Sequence, residues 1–132
     1  MAYDVLDNRM YAGLKLMINT HSNIDAFSDS DTPRGPAYYL ISLEDLNTGS
    51  PGTGSSTFIG TFNIDFYSNK RLPAYLKNNK SKIIEILGDY NHYSTSSITY
   101  FFNGNVLGVE KGIEDDPYAF RIKYEITHEK VS

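Results

Sequence analysis

Residues Phe58–Tyr90, FIGTFNIDFYSNKRLPAYLKNNKSKIIEILGDY, decide the fold because their hydrophobic rhythm changes partway along. Every second residue from Phe58 to Phe66 is apolar or glycine, whereas Asn63 and Asp65 fall on the opposite face. After a short turn, apolar residues recur at spacings of three and four from Leu72 to Leu87. The stretch therefore predicts a strand with one dry face, followed by an amphipathic helix that packs on that face.

The segments on either side of this stretch complete an α+β pattern. The predicted elements, in chain order, are a helix over 4–20, strands over 37–46 and 58–67, a helix over 72–87, and strands over 97–102, 105–112 and 118–127. Asn103-Gly104 predicts a tight hairpin turn between two of these strands. The order α-β-β-α-β-β-β predicts one domain over residues 1–132, with a mostly antiparallel sheet and two helices on one of its faces.

Two connections between these elements are polar. Residues 23–36 contain two prolines and several Asp and Ser residues, which argues against regular structure. Residues 47–57, NTGSPGTGSST, offer no side chain that anchors a core, so we expect a flexible Gly/Ser loop. Gly49 and Gly54 have the spacing of a phosphate-binding loop, but Ser55 stands where that loop needs Lys, and a strand follows instead of a helix.

Length, charge and the lack of cysteine narrow the class of protein. A chain of 132 residues fits one domain with a substantial core, and its net charge of −4 predicts no sequence-specific nucleic-acid partner. Lys77, Lys80 and Lys82 are interpreted as the solvated face of the second helix. No apolar run is long enough to span a membrane, and Asp4 and Asp7 stand where a signal peptide would be basic. We therefore expect no membrane partner and no export through a cleaved signal.

The aromatic residues are unusual in kind, with 11 Tyr and 7 Phe but no Trp. Aromatic side chains favour strands, so one interpretation is simply a β-rich fold. Tyr also combines a large apolar face with a polar tip and is enriched at protein interfaces. Both interpretations are compatible with the same chain.

The sequence contains no catalytic, cofactor-binding or metal-binding motif. His21, His92 and His128 are far apart, and none of them belongs to a zinc-binding helix motif. No GxSxG nucleophile elbow occurs. Paired carboxylates would come together only in space, and the sequence does not select a pair. We predict a protein that is not an enzyme and that has no cofactor, with a small ligand-binding module or a spatially assembled enzyme site as the alternative.

Candidate interaction residues fall in two polar segments. The segment 110–116 carries four carboxylates without the spacing of a calcium loop, so it is either a solvated hairpin tip or a contact for a basic patch on a neighbouring subunit. The loop 47–57 is the second segment. The candidate residues are Glu110, Glu114, Asp115 and Asp116 in the first, and Ser50, Thr53 and Ser55 in the second.

The layout as a whole resembles the tail terminator or tail completion proteins, also called minor tail proteins, of long-tailed bacteriophages. The residues that carry the resemblance are an N-terminal helix, a strand of the GPAYYLISLED kind and a longer loop, followed by FNIDFYS running into LPAYLKNNKSKIIEIL. A hairpin and a final strand like YAFRIKYEITH close the chain. The resemblance extends over about residues 4–128 and lies in element order and hydrophobic rhythm.

The resemblance implies an assembly role. Proteins of this family form hexameric rings that cap the tail tube, stop its elongation and face the head-side connector. It implies a homo-oligomer whose partners are the tail tube protein and a connector or neck protein, with no cofactor. The protein would be located in the virion, at the tail or neck, after assembly in the host cytoplasm. The alternative within the same particle is another head–tail connector or neck component.

Overall fold

The computed structural model describes residues 2–28, 31–48, 57–89, 92–94 and 100–130. The elements are α1 (Ala2–Ser22), β1 (Ala26–Ser28), β2 (Ala37–Thr48), β3 (Thr57–Ser68), α2 (Pro73–Asp89), β4 (His92–Ser94), β5 (Tyr100–Ile113) and β6 (Asp116–Lys130). The predicted class is confirmed: this is an α+β fold with two helices and a mostly antiparallel sheet.

The sheet has the strand order β1-β2-β3-β6-β5-β4. All neighbouring strands run antiparallel except β1 and β2. The outermost strands, β1 and β4, are only three residues long. Within the described ranges, they pair with Tyr39–Ile41 of β2 and with 101–103 of β5, and no other strand covers the outer edges of β2 and β5.

The core lies between one face of the sheet and both helices. On β3, Phe62, Ile64 and Phe66 are fully buried, which confirms the predicted dry face. Both helices pack on this face of β3: the ring of Tyr11 in α1 meets Phe62 edge-on at 5.2 Å between centroids, and Tyr75 of α2 lies 6.3 Å from Phe66. The core residues that the helices contribute are Leu14, Met17 and Ile18 from α1 and Ile83, Ile86 and Leu87 from α2.

The start of the predicted apolar stripe on the second helix is wrong. Leu72 precedes α2 and is about half exposed (53%), because the chain has not yet entered the helix that turns later stripe residues toward the sheet. The stripe becomes fully buried only at Ile83, nearly three turns further on. The first turns of α2 therefore stand partly clear of the core.

The predicted hairpin turn at Asn103-Gly104 is also wrong. Both residues lie inside β5, where they pair with Thr127 and Ile126 of β6. A Cβ built on Gly104 would stand 1.6 Å from the Tyr124 phenolic oxygen, so the side chain of Tyr124 occupies the space above this glycine. Glycine is needed at position 104 because Tyr124 packs closely against it inside a strand, and not because a turn requires a positive φ there.

The two polar connections are shorter than the sequence predicts. Ala26–Ser28 within the predicted irregular segment forms β1, because Ala26 is buried in the core and its N–H donates to the Asn19 side-chain oxygen at 2.7 Å. Asn47 and Thr48 belong to β2 and pair with Ile59 and Phe58 of β3, so the loop predicted over 47–57 begins later. The prediction of flexibility falls mainly on residues 49–56, which lie outside the described residues.

Candidate interaction site

The connection between β5 and β6 is an acidic turn formed by Glu114 and Asp115. Ile113 pairs with Asp116 across this two-residue turn, and both turn residues have positive φ, 49° at Glu114 and 66° at Asp115. Two-residue hairpins with positive φ at both positions favour Asn-Gly, since other side chains are strained there. Both carboxylates are exposed, so the chain keeps two charged groups at a place where uncharged residues would fold more easily.

Asp116, at the start of β6, has a structural role that holds the turn in place. Its Oδ1 accepts a hydrogen bond from the Tyr118 N–H at 2.9 Å and another from the Arg71 guanidinium. Together these bonds keep the pKa of the Asp116 carboxyl below its usual value. The same guanidinium lies 5.2 Å from the centre of the Tyr118 ring. Asp116 is therefore engaged within its own chain and less available to a partner than its two neighbours.

Glu110 lies apart from the acidic turn. It pairs with Arg121 across the β5–β6 ladder, and its carboxylate is 3.7 Å from Lys123 Nζ, which is also 3.8 Å from a Glu44 oxygen. Of the four predicted carboxylates, the structure brings Glu114, Asp115 and Asp116 together at the turn and places Glu110 in this separate charge cluster. Ser50, Thr53 and Ser55 lie outside the described residues.

A groove next to the turn separates the first part of α2 from the end of the β5–β6 hairpin. We call it the α2–hairpin groove; it has a volume of about 580 Å³. It is lined by Pro73, Leu76, Lys77, Lys80 and Ser81 on one side and by Lys111, Pro117, Tyr118, Ala119 and Phe120 on the other. Three lysines thus lie along a largely apolar lining. The sequence carries no signal for this groove, because Lys111 joins the two helix lysines only through the tertiary fold.

The three groove lysines are free of ion pairs in the part of the chain that the structure describes. The ion pairs found there involve Lys15, Arg71, Arg121 and Lys123. The sequence alone predicts that Lys77 and Lys80 belong to a solvated helix face together with Lys82. The structure separates them: Lys82 is exposed but does not line the groove. The groove is therefore a site of local positive charge on a protein with a net charge of −4.

No helix of the described residues covers the second face of the sheet, and this face carries its own polar network. Arg121 on β6 donates two hydrogen bonds to the Asp65 carboxylate on β3, at 2.7 and 2.9 Å, and Asp65 is nearly fully buried. These bonds raise the pKa of the Arg121 guanidinium. Beside the pair, the rings of Tyr38 and Tyr67 lie 5.5 Å apart. Partial burial and the nearby charges of Asp65 and Glu114 raise the pKa of Tyr67.

No group of three or more His, Asp or Glu side chains converges as metal ligands within the described ranges. Neither described helix is both long and apolar enough to cross a membrane. In comparisons with known proteins, no protein-family model and no curated protein sequence matches this chain.

Proposed function

We propose that this chain is a structural virion protein of a long-tailed bacteriophage, which forms a ring that caps the tail tube. The ring, a hexamer, would stop tube elongation and join the tube to the head-side connector or neck protein. The protein would assemble in the host cytoplasm and remain in the virion. The observation that carries the proposal is a sheet with one helix-covered face and one open face of aromatic and ion-paired side chains.

The open face suits contact with another protein. Tyr38 is half-buried between Phe27 on β1, 6.2 Å away by ring centroids, and Tyr67 on β3. Rings held in this way offer a large contact area without losing much side-chain entropy on binding. The bidentate pair of Arg121 and Asp65 fixes the middle of the same face. A subunit of an assembly needs a rigid contact surface of this kind and does not need a reactive group.

The two edges of the sheet suit a ring. The strand order places β2 and its short partner β1 on one side and β5 and its short partner β4 on the other. A contact that joins one side of a copy to the opposite side of the next is heterologous, and such contacts close into rings when the rotation allows. The antiparallel strands β3 and β6 between these sides form a rigid spacer that would set the angle between neighbouring copies.

The proposal is tested by measuring the mass of the purified protein and the length of tubes assembled with it. We expect a closed ring by light scattering and electron microscopy, and tail tubes that stop growing once the ring is added. Tyr38→Ser should weaken binding to the tube, whereas Leu16→Ser, an exposed change on α1 away from this face, should not. A strict monomer that neither binds the tube nor limits its length would overturn the proposal. Detection in tailless heads would indicate the connector alternative instead.

The α2–hairpin groove favours a second candidate function, a small ligand-binding module. Ligand pockets combine an apolar lining with a few convergent polar groups, and this groove has three lysines along a largely apolar lining. Its ligand would be a small anion with an apolar part. Calorimetric titration with an aromatic carboxylate such as benzoate tests it, because binding that Lys80→Glu abolishes would support this function and an absence of heat would oppose it.

A further inference from the structure

The ammonium groups of the α2–hairpin groove form no ion pair with a carboxylate of the described residues, although Lys111 also lies beside the acidic turn of its own chain. Lys77 and Lys80 lie three residues apart on α2 and therefore point to the same side of the helix, while Lys111 approaches from β5. No carboxylate of the described residues lies within ion-pair distance of these three groups. A partner that fits the groove must therefore supply negative charge.

The acidic turn supplies such charge in a rigid form. Glu114 and Asp115 are exposed, have no ion pair among the described residues, and sit in strained backbone conformations that the Asp116 hydrogen bonds hold in place. Strained residues of this kind persist mainly where they have a role. Their spacing along the chain places two carboxylates at the narrow end of a two-stranded hairpin, which is a shape that enters a groove.

We propose that the α2–hairpin groove binds the acidic turn of a second copy of this chain. A turn cannot enter its own groove, because Lys111 and Pro117 line that groove and lie only a few residues from the turn on a rigid hairpin. Glu114 and Asp115 of one copy pair with the ammonium groups of Lys77, Lys80 and Lys111 of the other. This inference deepens the proposed homo-oligomer by naming a contact between copies, but it does not depend on the phage assignment.

Because the contact joins charged groups near the surface, salt weakens it. We expect the self-association constant, measured by sedimentation velocity over a range of concentrations, to fall at least tenfold between low and high salt. Lys80→Glu should lower it at least tenfold at low salt, since like charges would then face each other. The matched control is Lys82→Glu, which makes the same charge change on the same helix outside the groove and should leave association unchanged.

The turn side of the contact is tested by a charge exchange. Glu114→Lys alone should lower the self-association constant at least tenfold at low salt, as Lys80→Glu does. An equimolar mixture of the two variants should associate again, because each charge reversal then faces its complement in the other chain. Asp115→Asn removes one carboxylate with a residue that tolerates positive φ, so a weakened association of this variant reports on charge with the turn retained.

The outcomes of these experiments distinguish the groove contact from the proposed ring. A wild-type protein that stays monomeric at low salt and high concentration would overturn both. A ring that forms equally well with Lys80→Glu or Glu114→Lys would overturn the contact and leave the ring standing. A dimer that dissociates with either variant and is restored by their mixture would support the contact and oppose the ring. Equal weakening by Lys80→Glu and Lys82→Glu would show nonspecific electrostatics and overturn the contact.

Discussion

At the scale of single residues, Gly104 and Tyr124 show how a strand interior is shaped by one missing side chain. The Tyr124 ring lies over the backbone of Gly104, two positions diagonally across the β5–β6 ladder. Its hydroxyl is buried and finds no hydrogen-bond partner among the described residues. The packing of the ring against Gly104 therefore leaves one buried polar atom, the Tyr124 hydroxyl oxygen, without a hydrogen bond among the described residues.

We predict that Gly104→Ala destabilises the protein by about 1–3 kcal/mol, because the new methyl group overlaps the Tyr124 side chain. Chemical denaturation measures the change. Gly108→Ala in the same strand is the control, since a Cβ there meets no atom within 4 Å, and it should change the free energy of unfolding by less than about 1 kcal/mol. Equal effects at the two glycines would show that the Tyr124 contact is not what requires Gly104.

At the scale of elements, the sequence predicts well those segments whose own rhythm decides their structure. The strand predicted over 58–67 is Thr57–Ser68, and the helix predicted over 72–87 is Pro73–Asp89. The short strands β1 and β4 could not be found in this way, because three residues carry no periodicity and each of these strands forms only by pairing with the next strand along the chain. The Asn-Gly signal at 103–104 failed because a tertiary contact with Tyr124 overrode a local preference.

In the candidate site, too, the sequence predicts some features and gives no signal for others. The acidic residues 114–116 were predicted to lie at a hairpin tip, and the structure places them at or directly beside the β5–β6 turn. The neighbouring groove was not predictable, because its lysines come from α2 and β5, which are far apart in sequence. A charged residue on a helix gives no signal that distinguishes a solvated face from the wall of a groove.

The acidic turn leads to a prediction about stability. Replacing Glu114 with Asn and Asp115 with Gly should stabilise the protein by about 1–2 kcal/mol, because these residues adopt the required positive φ with less strain. Thermal and chemical denaturation of the monomer at high salt measure this change. The same double variant should lose self-association at low salt. A decrease in stability would mean that the two carboxylates stabilise the turn within its own chain.

At the scale of the whole molecule, the fold is a single sheet whose helix-covered face is dry and whose other face is polar. Tyrosines contribute to both sides: Tyr39 and Tyr124 are buried in the core, whereas Tyr38 and Tyr67 lie on the open face. Burial raises the pKa of Tyr124 to about 12 and also raises the pKa of Tyr39. The tyrosines thus lie on both faces of the sheet, as the interpretation of a β-rich fold predicts, and their role at an interface stays a prediction.

These buried phenols predict a loss of stability in alkali. The unfolded chain releases the Tyr124 proton near pH 10, whereas the folded chain retains it up to about pH 12, so the free energy of unfolding falls as pH rises through this window. Tyr124 alone should account for about 2–3 kcal/mol at the upper end. Denaturation at several pH values, with phenolate absorbance followed in parallel, measures the loss. Tyr124→Phe should make this dependence shallower, with the contribution of Tyr39 remaining, and an unchanged slope would contradict the assignment.

The left-handed backbone at Glu114 and Asp115 also has a consequence for laboratory evolution. A library selected only for resistance to heat should enrich Asn and Gly at these two positions, because these residues adopt positive φ with less strain. A library selected for particle assembly should retain acidic residues there despite the strain. At each of these positions, the difference in residue frequencies between the two selected libraries would separate the effect of the residue on folding from its effect on contacts with neighbouring subunits.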